Sequence, residues 1–156
     1  MASKARLAGI IGAGVLAIAG SVIAPYEGRS LVAYLDPVGV PTICEGITAD
    51  VQMGDTATDA ECDAALQREM RTHLAGVEAC IDGYLTPNQW AAVLSWTYNV
   101  GVGAACSSTL VAKINRGESF RAWCPELKRW VYAGGERLGG LVKRRDAEYA
   151  LCMGDS

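Results

Sequence analysis

The chain has 156 residues, 51% of them hydrophobic and 20% charged, with a net charge of −3. That length accommodates a short segment plus one domain of about 130 residues, and the acidic balance without a binding motif argues against a nucleic-acid partner. The charge is uneven. Tyr26 to Ala112 carries 11 acidic and 3 basic residues (−8), whereas Lys113 to Arg145 carries 9 basic and 3 acidic (+6), so the C-terminal half suits a polyanion or is a solvated basic face.

Residues 1–6 contain Lys4 and Arg6 and no acid, and residues 7–24 contain no charge. An 18-residue helix spans about 27 Å, enough for a bilayer core. Basic residues on its N-terminal side predict a cytoplasmic N-terminus and an exported remainder. The anchor is weak. Eight of its residues are large and apolar and the other ten are Ala, Gly or Ser, for an insertion energy of only about −2 to −5 kcal/mol. Gly9, Ala13, Ala17 and Ser21 fall on one helical face, and Leu7, Ile11, Val15, Ile18 and Val22 on another. Such a helix could leave lipid to dock on protein, or could pack small-to-small within the membrane. A cleavable signal peptide with Ala17-Ile18-Ala19 as its processing site is the competing reading, and it exports the domain equally. We divide the chain into a signal-anchor, residues 1–25, and a domain over residues 26–156.

Pro25 is expected to limit the first helix. Leu31–Leu35 and Val40–Cys44 are β-prone, and Asp36-Pro-Val-Gly39 between them is turn chemistry, so a small hairpin is predicted. Helices dominate thereafter. Thr58 with Glu61 forms a capping box for a helix over about 59–81, closed by Gly83. Thr86 and Pro87 open the next, with Trp90, Val93, Leu94, Thr97 and Tyr98 as its buried face and Gly101 as its end. Shorter helices are expected at about 108–115 and from Ser119, the latter interrupted by Pro125. The last runs over about 141–151, after the Gly134-Gly135 and Gly139-Gly140 loops. The fold class is therefore α+β and mostly helical.

Six cysteines, at 44, 62, 80, 106, 124 and 152, all follow the apolar run. No CxxC occurs, which disfavours zinc and redox motifs, and an even count after an export segment fits disulfides. Six thiols can pair in fifteen ways, and spacing does not choose among them.

Cleavage of a glycosidic bond needs a proton donor for the leaving oxygen and a second group across the sugar ring. Glu27 and Asp36 flank a hairpin strand and qualify by type, and Thr42 on the returning strand could hold a water. Three such residues at these spacings also occur by chance as solvated turn residues. Their context is more specific: Glu27, Gly28, Leu31, Tyr34, Asp36, Gly39, Thr42, Ile43 and Gly46 stand in the register E-G-x-x-L-x-x-Y-x-D-x-x-G-x-x-T-I-x-x-G. This resembles the catalytic signature of the T-even phage lysozyme family, glycoside hydrolase family 24. Segments around Trp96–Gly101, Ser108–Gly117, Arg129–Gly135 and Gly140–Arg145 with Glu148 extend the resemblance to lambdoid phage endolysins. The weak anchor ahead of them is similar to that of signal-anchor-release endolysins.

The resemblance implies a lysozyme-like fold, with a small N-terminal β-hairpin lobe and a helical C-terminal lobe, preceded by one membrane helix. It implies a muramidase that cuts the β-1,4 bond between N-acetylmuramic acid and N-acetylglucosamine in peptidoglycan, for host lysis. Glu27 would be the general acid, and Asp36 with Thr42 would stabilise the transition state and position water. Tyr98 and Asn99 would line the saccharide cleft. A general acid must carry its proton, so contact between Glu27 and Arg137 or Arg144 should be slight. No cofactor or metal is implied. The implied partners are peptidoglycan strands and inner-membrane lipid through residues 7–24, for a monomer that is inactive while tethered and later released to the periplasm. Cys44–Cys62, Cys80–Cys106 and Cys124–Cys152 are one pairing to carry forward, and with no cysteine in residues 1–25 an anchor-driven disulfide switch is not expected. Where family members often carry a histidine after the threonine, this chain has Glu45 and Ile47, so no buried His–Asp pair is expected. His73 is read as a helix-surface or half-buried residue, and Trp90 and Trp96 as core. Two alternatives remain: a lysozyme-fold protein that binds glycan without cutting it, and a lytic transglycosylase.

Overall fold

The structure, a computed structural model, describes residues 4–154, with side chains from residue 12 onward. Helix α1 (Lys4–Glu27) is a single element of 24 residues. It does not stop at Pro25. The proline removes one ladder bond, yet the Gly28 N–H still reaches the Ala24 carbonyl at 3.1 Å. The helix therefore persists to Glu27 and ends at Gly28, whose φ of +70° is the left-handed stop that suits glycine.

Strands β1 (Ser30–Leu35) and β2 (Pro41–Cys44) pair antiparallel, with Tyr34 opposite Thr42 and Leu35 opposite Pro41. Helix α2 (Asp59–Glu78) begins on the Thr58–Glu61 capping box and ends three residues short of the expected 81. Its continuation tightens into i→i+3 bonds at Cys80 and Ile81, and Cys80 is drawn to Cys106. Helix α3 (Pro87–Val100) starts on the Thr86–Gln89 box. Three elements were not legible beforehand: α4 (Val102–Cys106) and the two-residue strands β3 (Tyr132–Ala133) and β4 (Glu136–Arg137). Helices α5 (Thr109–Asn115) and α6 (Phe120–Trp123) are followed by a 3-10 stretch, Cys124–Arg129, at Pro125. Helix α7 (Gly139–Cys152) starts two residues early, absorbing the glycine pair read as a loop.

Helix α3 is the axle. Residues 91–97 are buried without interruption, so it is packed all round rather than on one face. On one side Val93 and Trp96 pack with Val77, Leu110, Ile114, Trp123 and Leu127. On the other, Ala91 and Leu94 meet Leu66, Met70 and Leu74 of α2 and Val15, Leu16, Ala19 and Ile23 of α1. The second half of the apolar run thus lies in the core of the folded domain, and α1 crosses the expected boundary at residue 25 unbroken. The docked stripe is not the small-residue face, since Ala13, Ala17 and Ser21 are exposed. Among the described residues no helix is long and apolar enough to cross a membrane, and residues 7–11 of the expected span have side chains outside the described set.

The disulfides Cys44–Cys62, Cys80–Cys106 and Cys124–Cys152 match the pairing carried forward. The first ties the β-hairpin to α2, and the third ties the 3-10 stretch to α7. Ile23 is fully buried. Ile23→Ala should lower folding stability by about 2–5 kcal/mol through lost transfer energy and a residual cavity, read as a reduced urea midpoint at unchanged slope.

Candidate active site

Glu27 is the last residue of α1, and its side chain remains 21% exposed. The helix end aims it at α7, where Arg144 Nη1 donates to Glu27 Oε1 at 2.6 Å. This close arginine corrects the expectation of slight contact. Its cause lies behind Arg144, which is itself buried: Nη2 donates to the Ser95 carbonyl at 2.9 Å and Nε to Glu148 Oε1 at 3.2 Å. α3 and α7 therefore hold the guanidinium in place independently of Glu27.

Glu148 is the root of this cluster. It is fully buried, accepts the Ser95 hydroxyl at 2.7 Å, and takes Arg145 Nη1 on both oxygens at 2.9 and 2.7 Å. Burial pulls the Arg145 pKa down, while the adjacent Glu148 charge pulls it back up. Arg145 also donates to the Trp130 carbonyl and to Asn99 Oδ1. Glu148 thus bonds both buried arginines, and a buried charge is tolerated where it is paired and hydrogen-bonded in this way.

The second oxygen of Glu27 lies beside Gly46. A Cβ on Gly46 would lie 3.6 Å from Glu27 Oε2, and the φ of +79° there favours glycine as well. Beside it is a cavity of about 300 Å³ lined by Tyr26, Glu27, Asn99, Leu138, Leu141 and Arg144. Asn99 thus reaches the cavity, as expected. Tyr98 does not line it. Its hydroxyl donates to the Glu45 carbonyl at 3.0 Å, and its ring lies 5.0 Å from His73. Burial, and then the charge of Glu27, push its pKa up, so it acts as a strut behind the wall. His73 is half-buried on α2, with Nδ1 2.7 Å from the Glu69 carbonyl.

Asp36 and Thr42 share one scaffold, Val40. Asp36 Oδ1 accepts the N–H groups of Val38 and Val40 at 2.9 and 2.8 Å. The buried Thr42 hydroxyl donates to the Val40 carbonyl at 2.9 Å. With its proton committed there, Thr42 Oγ1 offers only lone pairs to any further partner. Asp36 keeps Oδ2 free.

Where the resemblance departs, at Glu45, the structure has a different pair. Glu45 is buried and bound by Arg29. Among the described residues, Cys44, Glu45 and Cys62 form a group with metal-ligand atoms in reach of one another, but both sulfurs are committed to the disulfide. The basic C-terminal half is largely spent internally: Lys113, Arg116, Lys128, Arg129, Arg144 and Arg145 all form ion pairs. Sequence reading missed Glu148 as the organiser, although its i,i+3 and i,i+4 spacing to Arg145 and Arg144 was visible.

A family model described as phage lysozyme matches residues 24–148. The SAR-endolysin of Enterobacteria phage P21 is 38% identical over 157 residues, covering 96% of this chain and 94% of that protein. Among solved structures, the endolysin from Escherichia coli O157:H7 phage FAHEc1 superposes with a TM-score of 0.78 at 27% identity, covering 89% of this chain and 92% of the other. The muramidase domain of SpmX from Asticaccaulis excentricus gives 0.78 at 26% identity, covering 90% and 95%.

Replacing Glu148 would strand two buried arginines. Glu148→Ala is expected to cost about 3–5 kcal/mol of stability and to reduce activity by releasing Arg144 from Glu27. Chemical denaturation and cell-wall turbidity assays on the same preparation check both effects.

Proposed function

Because the chain belongs to the phage lysozyme family, we propose that its cleavage of peptidoglycan is carried by Glu27, Asp36 and Thr42. The enzyme is a lysozyme-type glycoside hydrolase, an endolysin that lyses the bacterial host. Its substrate bond is the β-1,4 link between N-acetylmuramic acid and N-acetylglucosamine. The observation that carries the assignment is the divided carboxyl of Glu27, one oxygen held by Arg144 and the other facing the gap that Gly46 leaves. The held oxygen orients the group, and the free one delivers the proton to the leaving sugar oxygen. Positional control of this kind is where much of an enzyme's rate advantage arises.

Asp36, with Oδ2 unengaged, stabilises the positive charge that develops on the sugar ring. Thr42 has donated its proton to Val40, so its oxygen accepts a hydrogen from a water and orients that water's lone pair. Water attack on the face opposite the acid, with Asp36 Oδ2 taking the proton that the water loses, is the inverting route implied by the resemblance to glycoside hydrolase family 24. It also favours hydrolysis over transglycosylation, because an anhydro product needs no positioned water. Asn99 contributes to sugar binding, and Tyr98 supports the wall at Glu45.

The segment 1–25 is a signal-anchor in this reading, with the N-terminus cytoplasmic and the rest periplasmic. Val15, Leu16, Ala19 and Ile23 cannot lie in lipid and in the α2–α3 groove at once. While residues 7–24 span the inner membrane, α1 is absent from its seat and Glu27 is not delivered to Arg144. Release lets α1 dock and completes the site in a monomer.

Glu27→Gln in the full-length enzyme should remain folded and lose about 10²–10⁴-fold in muramidase activity, the usual worth of a general acid; wild-type activity in this variant would sink the assignment. The masses of muropeptides from the wild type should show reducing ends, and anhydro products would mean transglycosylation. A tighter anchor should hold the enzyme on the membrane. Gly12 and Gly14 have open space around them, whereas a Cβ added at Gly20 would lie 3.5 Å from the end of the Met70 side chain. Gly12→Leu with Gly14→Leu therefore strengthens the anchor and leaves the docked core intact. Lysis in culture should be delayed, and unchanged timing would refute the tether.

A further inference from the structure

Arg29 follows Glu27 by two residues, across the left-handed turn at Gly28. Its guanidinium meets three carboxylates from two other parts of the chain. Nε donates to Glu45 Oε1 at 2.5 Å, Nη1 to Asp59 Oδ1 at 3.0 Å and Nη2 to Asp63 Oδ1 at 2.6 Å. Nη1 also donates to the Asp59 carbonyl at 3.2 Å. These bonds, that of Asp63 foremost, raise the Arg29 pKa further above its already high value. Asp59 and Asp63 belong to the first turns of α2, and Glu45 closes β2.

Glu45 depends on this arginine. It is 1% exposed, its Oε2 has no partner, and among the described residues Arg29 alone bonds its carboxylate. A buried carboxylate that loses its sole cation cannot remain in place without a large desolvation cost, so residue 45 would move outward. Two features of the site move with it. The Glu45 carbonyl is the acceptor for Tyr98, and Gly46 is the wall beside Glu27 Oε2.

We propose that Arg29 is a positioning residue for glycosidic cleavage, fixing the 44–46 wall and the chain exit from Glu27 so that the acid's free oxygen keeps one location. Arg29 acts through Glu45 and Gly46 and touches no reacting atom. The role is specific to arginine, because only a fork of several donors grips three carboxylates in fixed directions. A lysine would keep a cation for Glu45 and lose the geometry to Asp59 and Asp63. The inference rests on Glu27 being the acid.

The test compares full-length wild type with Arg29→Lys and Arg29→Ala on purified peptidoglycan, well below the melting temperature, with rates expressed per folded molecule. A positioning role predicts that kcat falls by about 10-fold or more in Arg29→Ala and by about 3-fold or more in Arg29→Lys, while KM changes by less than about 2-fold. A purely structural role would instead lower the melting temperature and leave kcat per folded molecule at the wild-type value, and that result overturns the proposal. Asp59 and Asp63 are 74% and 70% exposed, so Asp59→Asn with Asp63→Asn preserves the fold even where Arg29→Ala does not. A kcat loss of about 2-fold or more supports the clamp, and an unchanged kcat opposes it. Glu27→Gln separates the two readings: if it is inactive while Arg29→Lys turns over normally, only the role of Arg29 fails. If Glu27→Gln is active, the acid assignment fails first.

Discussion

A single buried carboxylate, Glu148, holds the site together. It has no exposure to water and is bonded by Ser95, Arg144 and Arg145. Isolated, either arginine would be costly at that depth; Glu148 pairs with both. Arg144 is thereby presented to the end of α1 as a preformed socket. Glu27, at the end of α1, is held in position by that socket. The seating of α1 and the position of Glu27 are tied together, because this bond joins residues 117 positions apart.

In the proposed cycle, that coupling gives the apolar N-terminal run two incompatible uses. A stripe of Val15, Leu16, Ala19 and Ile23 fills the groove between α2 and α3, and the same side chains supply much of the run's affinity for lipid. The alanines, glycines and serine that make the run a poor membrane anchor also make it a slender helix that packs closely, as at Gly20 against Met70. In the proposed cycle the competition between bilayer and groove decides whether the acid exists. The domain cannot be cut cleanly at residue 25, since the helix supplying Glu27 is part of the core.

The β-hairpin is organised by a different principle. Asp36 and Thr42 are fixed through the backbone of Val40, and residues 44–46 through the Arg29 fork and the Cys44–Cys62 disulfide. A two-stranded hairpin has little stability of its own, so these local bonds and one cross-link do the work that a larger sheet would otherwise share. Glycines matter where the wall meets the acid: Gly28 turns the chain out of α1, and Gly46 leaves room for Oε2.

Much was legible in the chain itself. Capping boxes at Thr58 and Thr86, turn chemistry at Asp36–Gly39 and the ordered signature from Glu27 to Gly46 are written in residues close together, where local hydrogen bonding dictates the outcome. Short elements such as α4 and β3–β4 were not legible, because two to five residues carry no periodic signal. Nor was Pro25 a stop, because a proline in a last turn sacrifices only one bond. The partners of Glu27 and Glu45 belong to the tertiary structure for a plain reason. A salt bridge between distant residues leaves no local pattern, and its strength depends on burial that only packing creates. The sequence alone determined which residues could do the chemistry and that an apolar helix precedes them; the fold decided that the helix is seated in the core, that Arg144 bonds Glu27 and that Arg29 bonds the buried Glu45.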